Sequence, residues 1–238
     1  MASPEPQTET PIEPQKKAED YKIELLPEDY PQYDLSFKLI FIGDSSVGKS
    51  CLTTKAVKNN FEEYYQATVG FEFLTFNMRV NDKVIKLQIW DTCGQENYQS
   101  LITNFYRSSS LAILVYSIDK KETFLNLDLW LKELKLNNSP DTKLILVGNK
   151  LDLEEKREVK YEEGKKFADD FGFTDFFETS AKTGENIKDM FLKVGIILYE
   201  EHQKYKDVDS IDTFGTFKPA YGQLLGRSQK KKNKSGCC

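Results

Sequence analysis

Apolar positions along the chain fall into short blocks with two different rhythms. Val84-Ile85-Lys86-Leu87-Gln88-Ile89-Trp90 alternates apolar and polar residues, the period of a strand with one wetter face. Leu111-Ala112-Ile113-Leu114-Val115-Tyr116 and Leu144-Ile145-Leu146-Val147 are continuously apolar, as strands buried on both faces are. In all, the pattern predicts strands at 37–42, 70–80, 84–90, 111–117, 143–148 and 174–178, and helices at 49–58, 122–137, 159–171 and 184–202. Asn81-Asp82 between the second and third strands is a hairpin signal, so those two should run antiparallel. The later strands are separated by helices, which implies right-handed parallel crossovers. The expected fold is doubly wound α/β: a mostly parallel six-stranded sheet with one antiparallel strand and helices on both faces. A ligand then belongs at the carboxyl ends of the strands.

The flanks differ from this middle. Residues 1–35 hold six of the eight prolines, many Glu and few aliphatics. Such a segment buries too little apolar surface to offset its ordering entropy, so it is expected to be a disordered extension. Local docking through Glu24-Leu25-Leu26 or Tyr30 to Tyr33 is the alternative. The domain is placed at 36–203. A basic tail, 204–238, contains RSQKKKNK and ends in Cys237-Cys238. The formal net charge of -5 argues against a general nucleic-acid binder. The four cysteines, Cys51, Cys93, Cys237 and Cys238, make no disulfide framework and fit a reducing compartment. No apolar run is long enough for a membrane span. The acidic, Pro-rich start is no signal peptide, and Ala2 is not a myristoylation site.

Between the first strand and first helix the chain reads GDSSVGKS, residues 43–50. This satisfies G-x-x-x-x-G-K-[ST] in the strand-then-helix context that the motif needs. Gly43 lets the chain turn out of the strand, and Gly48 lets backbone approach an anion closely. Successive N–H groups and the helix N-terminus then face phosphate oxygens. Lys49 adds a mobile positive charge, and Ser50 a hydroxyl able to ligate Mg²⁺. A chance Gly-rich turn would not sit between matching strand and helix signals. Other short polar stretches fall where the fold puts a ligand: Tyr64 to Gly70, Trp90-Asp91-Thr92-Cys93-Gly94-Gln95, Gly148-Asn149-Lys150-Leu151-Asp152 and Glu178-Thr179-Ser180-Ala181-Lys182.

Together these motifs resemble the Ras-like small GTPases over roughly 36–203. VGFEF (69–73), KLQIWDT (86–92), FYRSSS (105–110), LVYSID (114–119) and the terminal Cys-Cys are similar to the Rab family within that superfamily. The resemblance implies a GTP/GDP site with Mg²⁺. Gly43, Ser45, Ser46, Val47, Gly48, Lys49, Ser50 and Cys51 would wrap the phosphates. Asp152 would accept the N1–H and N2–H₂ of guanine, and adenine would leave that carboxylate unpaired. Asn149 would brace base and loop, Lys150 would lie along the base, and the stretch Ser180, Ala181, Lys182 would bring the Ala181 N–H to O6. Phe61 would cover the other edge of the base. Ser50 and Thr68 match direct Mg²⁺ ligands, and Asp91 one that acts through water. Gly94 matches a γ-phosphate donor, and Gln95 the residue that orients the attacking water. Loops at 60–71 and 92–107 would be the switches, ordered by γ-phosphate and released on hydrolysis. The sequence departs from the commoner Rab switch at Cys93, Asn97 and Tyr98, and at Val69 and Phe71; these bear on hydrolysis and regulator choice rather than on binding.

The resemblance also implies partners. They are an exchange factor, a GTPase-activating protein supplying an arginine, and effectors facing Phe71, Trp90 and Tyr106. A Rab escort protein and a GDP-dissociation inhibitor would handle a monomer carrying geranylgeranyl groups on Cys237 and Cys238. Two lipids anchor stably where one does not, and Arg227, Lys230, Lys231, Lys232 and Lys234 favour an anionic leaflet. The expected location is the cytoplasmic face of an endomembrane, in exchange with cytosol, and the expected role is vesicle traffic. Two other readings stand beside the switch: a GTP-loaded scaffold with negligible turnover, and a phosphotransferase, for which no acceptor site is evident.

Overall fold

The computed structural model describes residues 20–61, 71–92 and 106–209, with backbone alone at Phe71 and 206–209. They build one sheet from β1 (Ile23–Leu26), β2 (Leu35–Ile42), β3 (Phe71–Val80), β4 (Lys83–Thr92), β5 (Leu111–Ser117), β6 (Lys143–Asn149) and β7 (Asp175–Thr179). Their spatial order is β1-β3-β4-β2-β5-β6-β7. β3 runs antiparallel to both neighbours, β1 and β4, and every other pairing is parallel. The helices are α1 (Lys49–Lys58), α2 (Lys121–Leu125), α3 (Leu127–Asn137), α4 (Tyr161–Phe171) and α5 (Ile187–Asp209), with a 3₁₀ stretch at Leu151–Lys156. This is the doubly wound α/β class that the periodicity predicts.

The core has two layers, one on each face of the sheet. Phe41, Leu52, Met78, Phe191 and Val194 pack on the α1/α5 face. Ile40, Tyr116, Trp130, Leu131 and Phe176 pack on the α2/α3/α4 face. β5 lies between them with all seven residues buried, which is why its sequence is an unbroken apolar run. Each large side chain buried there contributes about 1.5–3 kcal/mol.

Three expectations are corrected. The sheet has seven strands, because part of the segment expected to be disordered pairs with the edge of β3. Residues 20–35 thus belong to the folded body, since an open edge offers them hydrogen bonds that their own composition cannot. The helix expected over 122–137 is two, α2 and α3, meeting at Asn126, whose amide Nδ2 donates to Asp44 Oδ2 at 2.8 Å. The last helix begins at Ile187, later than 184, because Gly184 (φ 87°) and Asn186 (φ 58°) take left-handed backbone that no helix continues. It then runs past the expected domain end at 203, to Asp209.

Candidate functional site

The phosphate-loop motif links β2 to α1. Ser46 (φ 64°) and Gly48 (φ 96°) turn the chain with left-handed backbone. A Cβ at Gly48 would lie 2.3 Å from Asn149 Nδ2, so only glycine fits. α1 opens with no side-chain cap and no acidic residue in its first turn. No acid of its own first turn therefore offsets the positive dipole end of α1, which suits an anion there. Lys49 is buried and curls back over the loop, donating to Gly43 O at 2.8 Å and Asp44 O at 2.7 Å. Ser45, Val47 and Cys51 lie on the same loop and first turn, Val47 fully buried.

Asp91, near the end of β4, is fully buried. Its Oδ2 accepts a short hydrogen bond from Ser50 Oγ. Its Oδ1 has no hydrogen-bond partner among the described residues. Burial pushes this carboxyl up to about 6 from its ordinary 3.8, opposed by the Ser50 hydrogen bond and the Lys49 charge. A buried carboxylate with an orphaned oxygen beside a serine hydroxyl is a hard-oxygen donor set. It fits a small divalent cation such as Mg²⁺, whose charge would relieve the desolvation that raises the pKa.

Asn149 ends β6 and is completely buried. Its Nδ2 donates to Val47 O at 2.8 Å, while its Oδ1 accepts from Thr179 Oγ1 and from the Ala181 N–H, both at 3.3 Å. One side chain thus ties the phosphate loop to the ends of β6 and β7. The Ala181 N–H, expected to meet the base O6, is engaged by this amide. Lys150 follows in left-handed backbone (φ 69°, ψ 41°) with Nζ 3.6 Å from Asp119 Oδ1. Asp152 Oδ1 accepts from the buried Ser180 Oγ at 2.6 Å, and Ser180 Oγ also accepts from the Thr183 N–H. That holds the carboxylate in one orientation, with lone-pair capacity on both oxygens for a pair of donors. Lys182 is exposed beside them. Arg157 clamps the 3₁₀ stretch to β7 through two bonds to Glu178, at 2.6 and 2.8 Å.

Gly43 to Cys51, Asp91, Asn149 to Asp152 and Ser180 to Lys182 therefore collect at the carboxyl ends of β2, β4, β6 and β7. Phe61 is half-buried against the α1/α5 layer. Thr68, Gly94, Gln95, Cys237 and Cys238 lie outside the described residues, as do Cys93, Asn97 and Tyr98.

Two residues of the site carry no motif role. Asp44 accepts from Asn126 Nδ2 and, at 2.7 Å, from Trp130 Nε1, bolting the phosphate loop to α3. Asp44 occupies a variable position of the motif, and only an acid among variable letters marks it. Thr179 supports Asn149 and looks like any strand threonine. The aromatic face expected from Phe71, Trp90 and Tyr106 differs too. Tyr106 is fully buried, and Phe73, 47% exposed, meets Trp90 edge-on at 5.3 Å with Lys38 Nζ 5.0 Å above the Trp90 ring. Position 73 lies on the same side of β3 as 71, two residues along, so alternation alone does not choose between them.

The family model described as the Ras family matches residues 38–199, from within β2 to within α5, a span that takes in every loop just described. A match over that much of the chain, on a doubly wound sheet with a phosphate loop leaving its first parallel strand, establishes kinship: the chain belongs to the Ras family of small GTPases, guanine-nucleotide-binding molecular switches.

Proposed function

We propose that this chain is a Rab-like switch that binds GTP or GDP with Mg²⁺, hydrolyses GTP slowly and cycles on and off an endomembrane in vesicle traffic. The observation that carries the nucleotide reading is the Asn149 tie, which holds the phosphate loop and the two base loops at one place. Lys49 moves its ammonium from the Gly43 and Asp44 carbonyls to the phosphate oxygens. Asp152, steadied by Ser180, accepts the two donors of guanine and leaves adenine unmatched. Ser45, Ser46, Val47, Gly48 and Cys51 supply backbone and side-chain donors around the phosphates, with Phe61 and Lys150 flanking the base and Lys182 beside it. Mg²⁺ would be held by Ser50 and Thr68 directly and by Asp91 through water, and it supplies neutralisation of phosphate charge. Gln95 positions the water that attacks the γ-phosphorus, and Gly94 follows the γ-phosphate. An activating partner adds an arginine worth on the order of 10³ to 10⁵ in rate. Geranylgeranyl groups on Cys237 and Cys238, with the basic tail, give membrane attachment. An exchange factor, effectors, a Rab escort protein and a GDP-dissociation inhibitor complete the cycle of a monomer.

The test is single-turnover hydrolysis by unlipidated full-length protein loaded with GTP and Mg²⁺, wild type against Gln95→Leu. Slow GDP formation by wild type and a marked loss in the variant are expected. Equal persistence of GTP in both, unrelieved by an activating protein, would favour the scaffold reading. Failure to retain GTP would remove the nucleotide assignment.

A further inference from the structure

The family match begins at Lys38, yet the fold begins at least 18 residues earlier, at Asp20. β1 pairs with the C-terminal end of β3, Ile23 opposite Val80 through Leu26 opposite Asn77. The chain then crosses the outer face of the β3–β4 hairpin as a strap before entering β2. Asn77 Nδ2 donates to Pro27 O and Glu28 O at 2.9 and 2.8 Å. Arg79 meets Glu24 at 3.1 Å and Tyr30 OH at 3.4 Å, and Lys86 Nζ sits 4.6 Å from the Tyr33 ring centre. Asp34 exchanges two bonds with Val84, each 2.8 Å. The covered face thus presents cations, Arg79 and Lys86. The strap that covers it is acidic and aromatic: Glu24, Glu28, Asp29, Tyr30, Tyr33 and Asp34.

The cover is loosely seated. β1 has only four residues, and Leu25 is 42% exposed. A cavity of about 140 Å³ remains where Leu26 and Glu28 approach Val57, Phe76 and Asn77. Asn77 is 3% exposed, and its Oδ1 finds no donor among the described residues. A short strand beside a half-open pocket, over an acceptor with no donor among the described residues, opens at low cost relative to the domain.

We infer that residues 22–34 are a displaceable edge strand, and that the surface beneath them binds an extended acidic and aromatic peptide segment of a partner by strand addition to β3. The partner repeats the chemistry of the strap: backbone bonds to the Asn77–Val80 edge, a carboxylate on Arg79, an aromatic ring over Lys86, and an N–H for Asn77 Oδ1. The chain's own strap is the competitor. Its tether gives an effective concentration of order millimolar, so it excludes weak strands and yields to strong ones. The proposal rests on neither nucleotide nor membrane.

The probe is a fluorescein-labelled synthetic peptide of residues 20–35, tested by anisotropy on the full chain. Asn81 N–H bonds Lys22 O at 2.8 Å, and antiparallel alternation then makes Glu24–Arg79 the next hydrogen-bonded pair. Glu24→Pro removes that ladder donor and the carboxylate at an exposed position. The peptide should bind Glu24→Pro at least tenfold tighter than wild type, and adding Arg79→Glu should reverse the gain. The Asn77 and Arg79 amides, which that alternation turns toward β1, should exchange hydrogen at least tenfold faster in Glu24→Pro, with β5 unchanged. Glu24→Ala with Tyr30→Phe, which removes only the side-chain partners of Arg79, should move in the same direction less far. Equal binding to wild type and both loosened variants, binding that survives Arg79→Glu, or loss of β5 protection with the strap would overturn the proposal.

Discussion

Gly48 and Gly172 both adopt left-handed backbone, φ 96° and 74°, yet alanine should affect them very differently. Either substitution costs about 1–2 kcal/mol for the left-handed conformation. At Gly172, which caps α4, a Cβ meets nothing within 4 Å, so the cost ends there. At Gly48 a Cβ would sit 2.3 Å from Asn149 Nδ2, and the amide must move. Moving it strains the links to Val47 O, Thr179 Oγ1 and the Ala181 N–H, in a side chain with no access to water. At about 1 kcal/mol net per hydrogen bond the added loss is about 3 kcal/mol. At 1.4 kcal/mol per factor of ten, that is roughly a hundredfold. The assay is dissociation of a fluorescent GDP with Mg²⁺ present, alongside urea midpoints for both variants. Gly172→Ala should lose stability and keep its dissociation rate within about twofold of wild type. Gly48→Ala should release nucleotide about 100-fold faster. If the two variants dissociate at the same rate, the Asn149 tie does not position the phosphate loop and the reasoning fails.

Two further outcomes follow from buried charge. Arg157→Ala strands Glu178, only 8% exposed, without its two-pronged partner, and should cost about 3–5 kcal/mol by urea denaturation, with Glu178→Gln in the same chain recovering part of it. In metal-free, nucleotide-free protein, the raised carboxyl of Asp91 contributes stability fully present below its ordinary 3.8 and lost as pH rises through about 6. Urea midpoints should therefore fall between pH 4.5 and 7 more in wild type than in Asp91→Asn, and equal slopes would show that Asp91 does not titrate in that window.

Most of the sheet was legible because its strands are local patterns that tertiary contacts reinforce. β5 and β6 are apolar throughout because they are sandwiched, and the β3–β4 turn at Asn81-Asp82 has its own chemistry. β1 was legible only as the lesser alternative, local docking through Glu24-Leu25-Leu26: Ile23 to Leu26 is four residues in a proline-rich acidic context, and only the presence of a β3 edge makes it a strand. The break at Asn126 was hidden for the same reason, since Asp44 lies 82 residues away in sequence. In the site, glycines, Lys49 and the Asn149-to-Asp152 stretch announced themselves by spacing. Asp44, Trp130 and Thr179 did not, because their work is to hold other groups still, and any of several residue types does that elsewhere.

Tyr21 donates to Glu200 at 2.6 Å and lies edge-on to Tyr199, with ring centres 6.1 Å apart. The described chain therefore enters the fold beside the same helix from which it leaves. Glu200 stands nine residues before the end of α5 at Asp209, about 14 Å along the axis. A dye or protein fused ahead of residue 20 thus starts within a few turns of the point where the C-terminal tail starts, and α5 separates both from the loops at Ser180 to Lys182. Resonance energy transfer from such a label to dye-bearing vesicles would report where the tail goes without touching a single residue of the nucleotide loops.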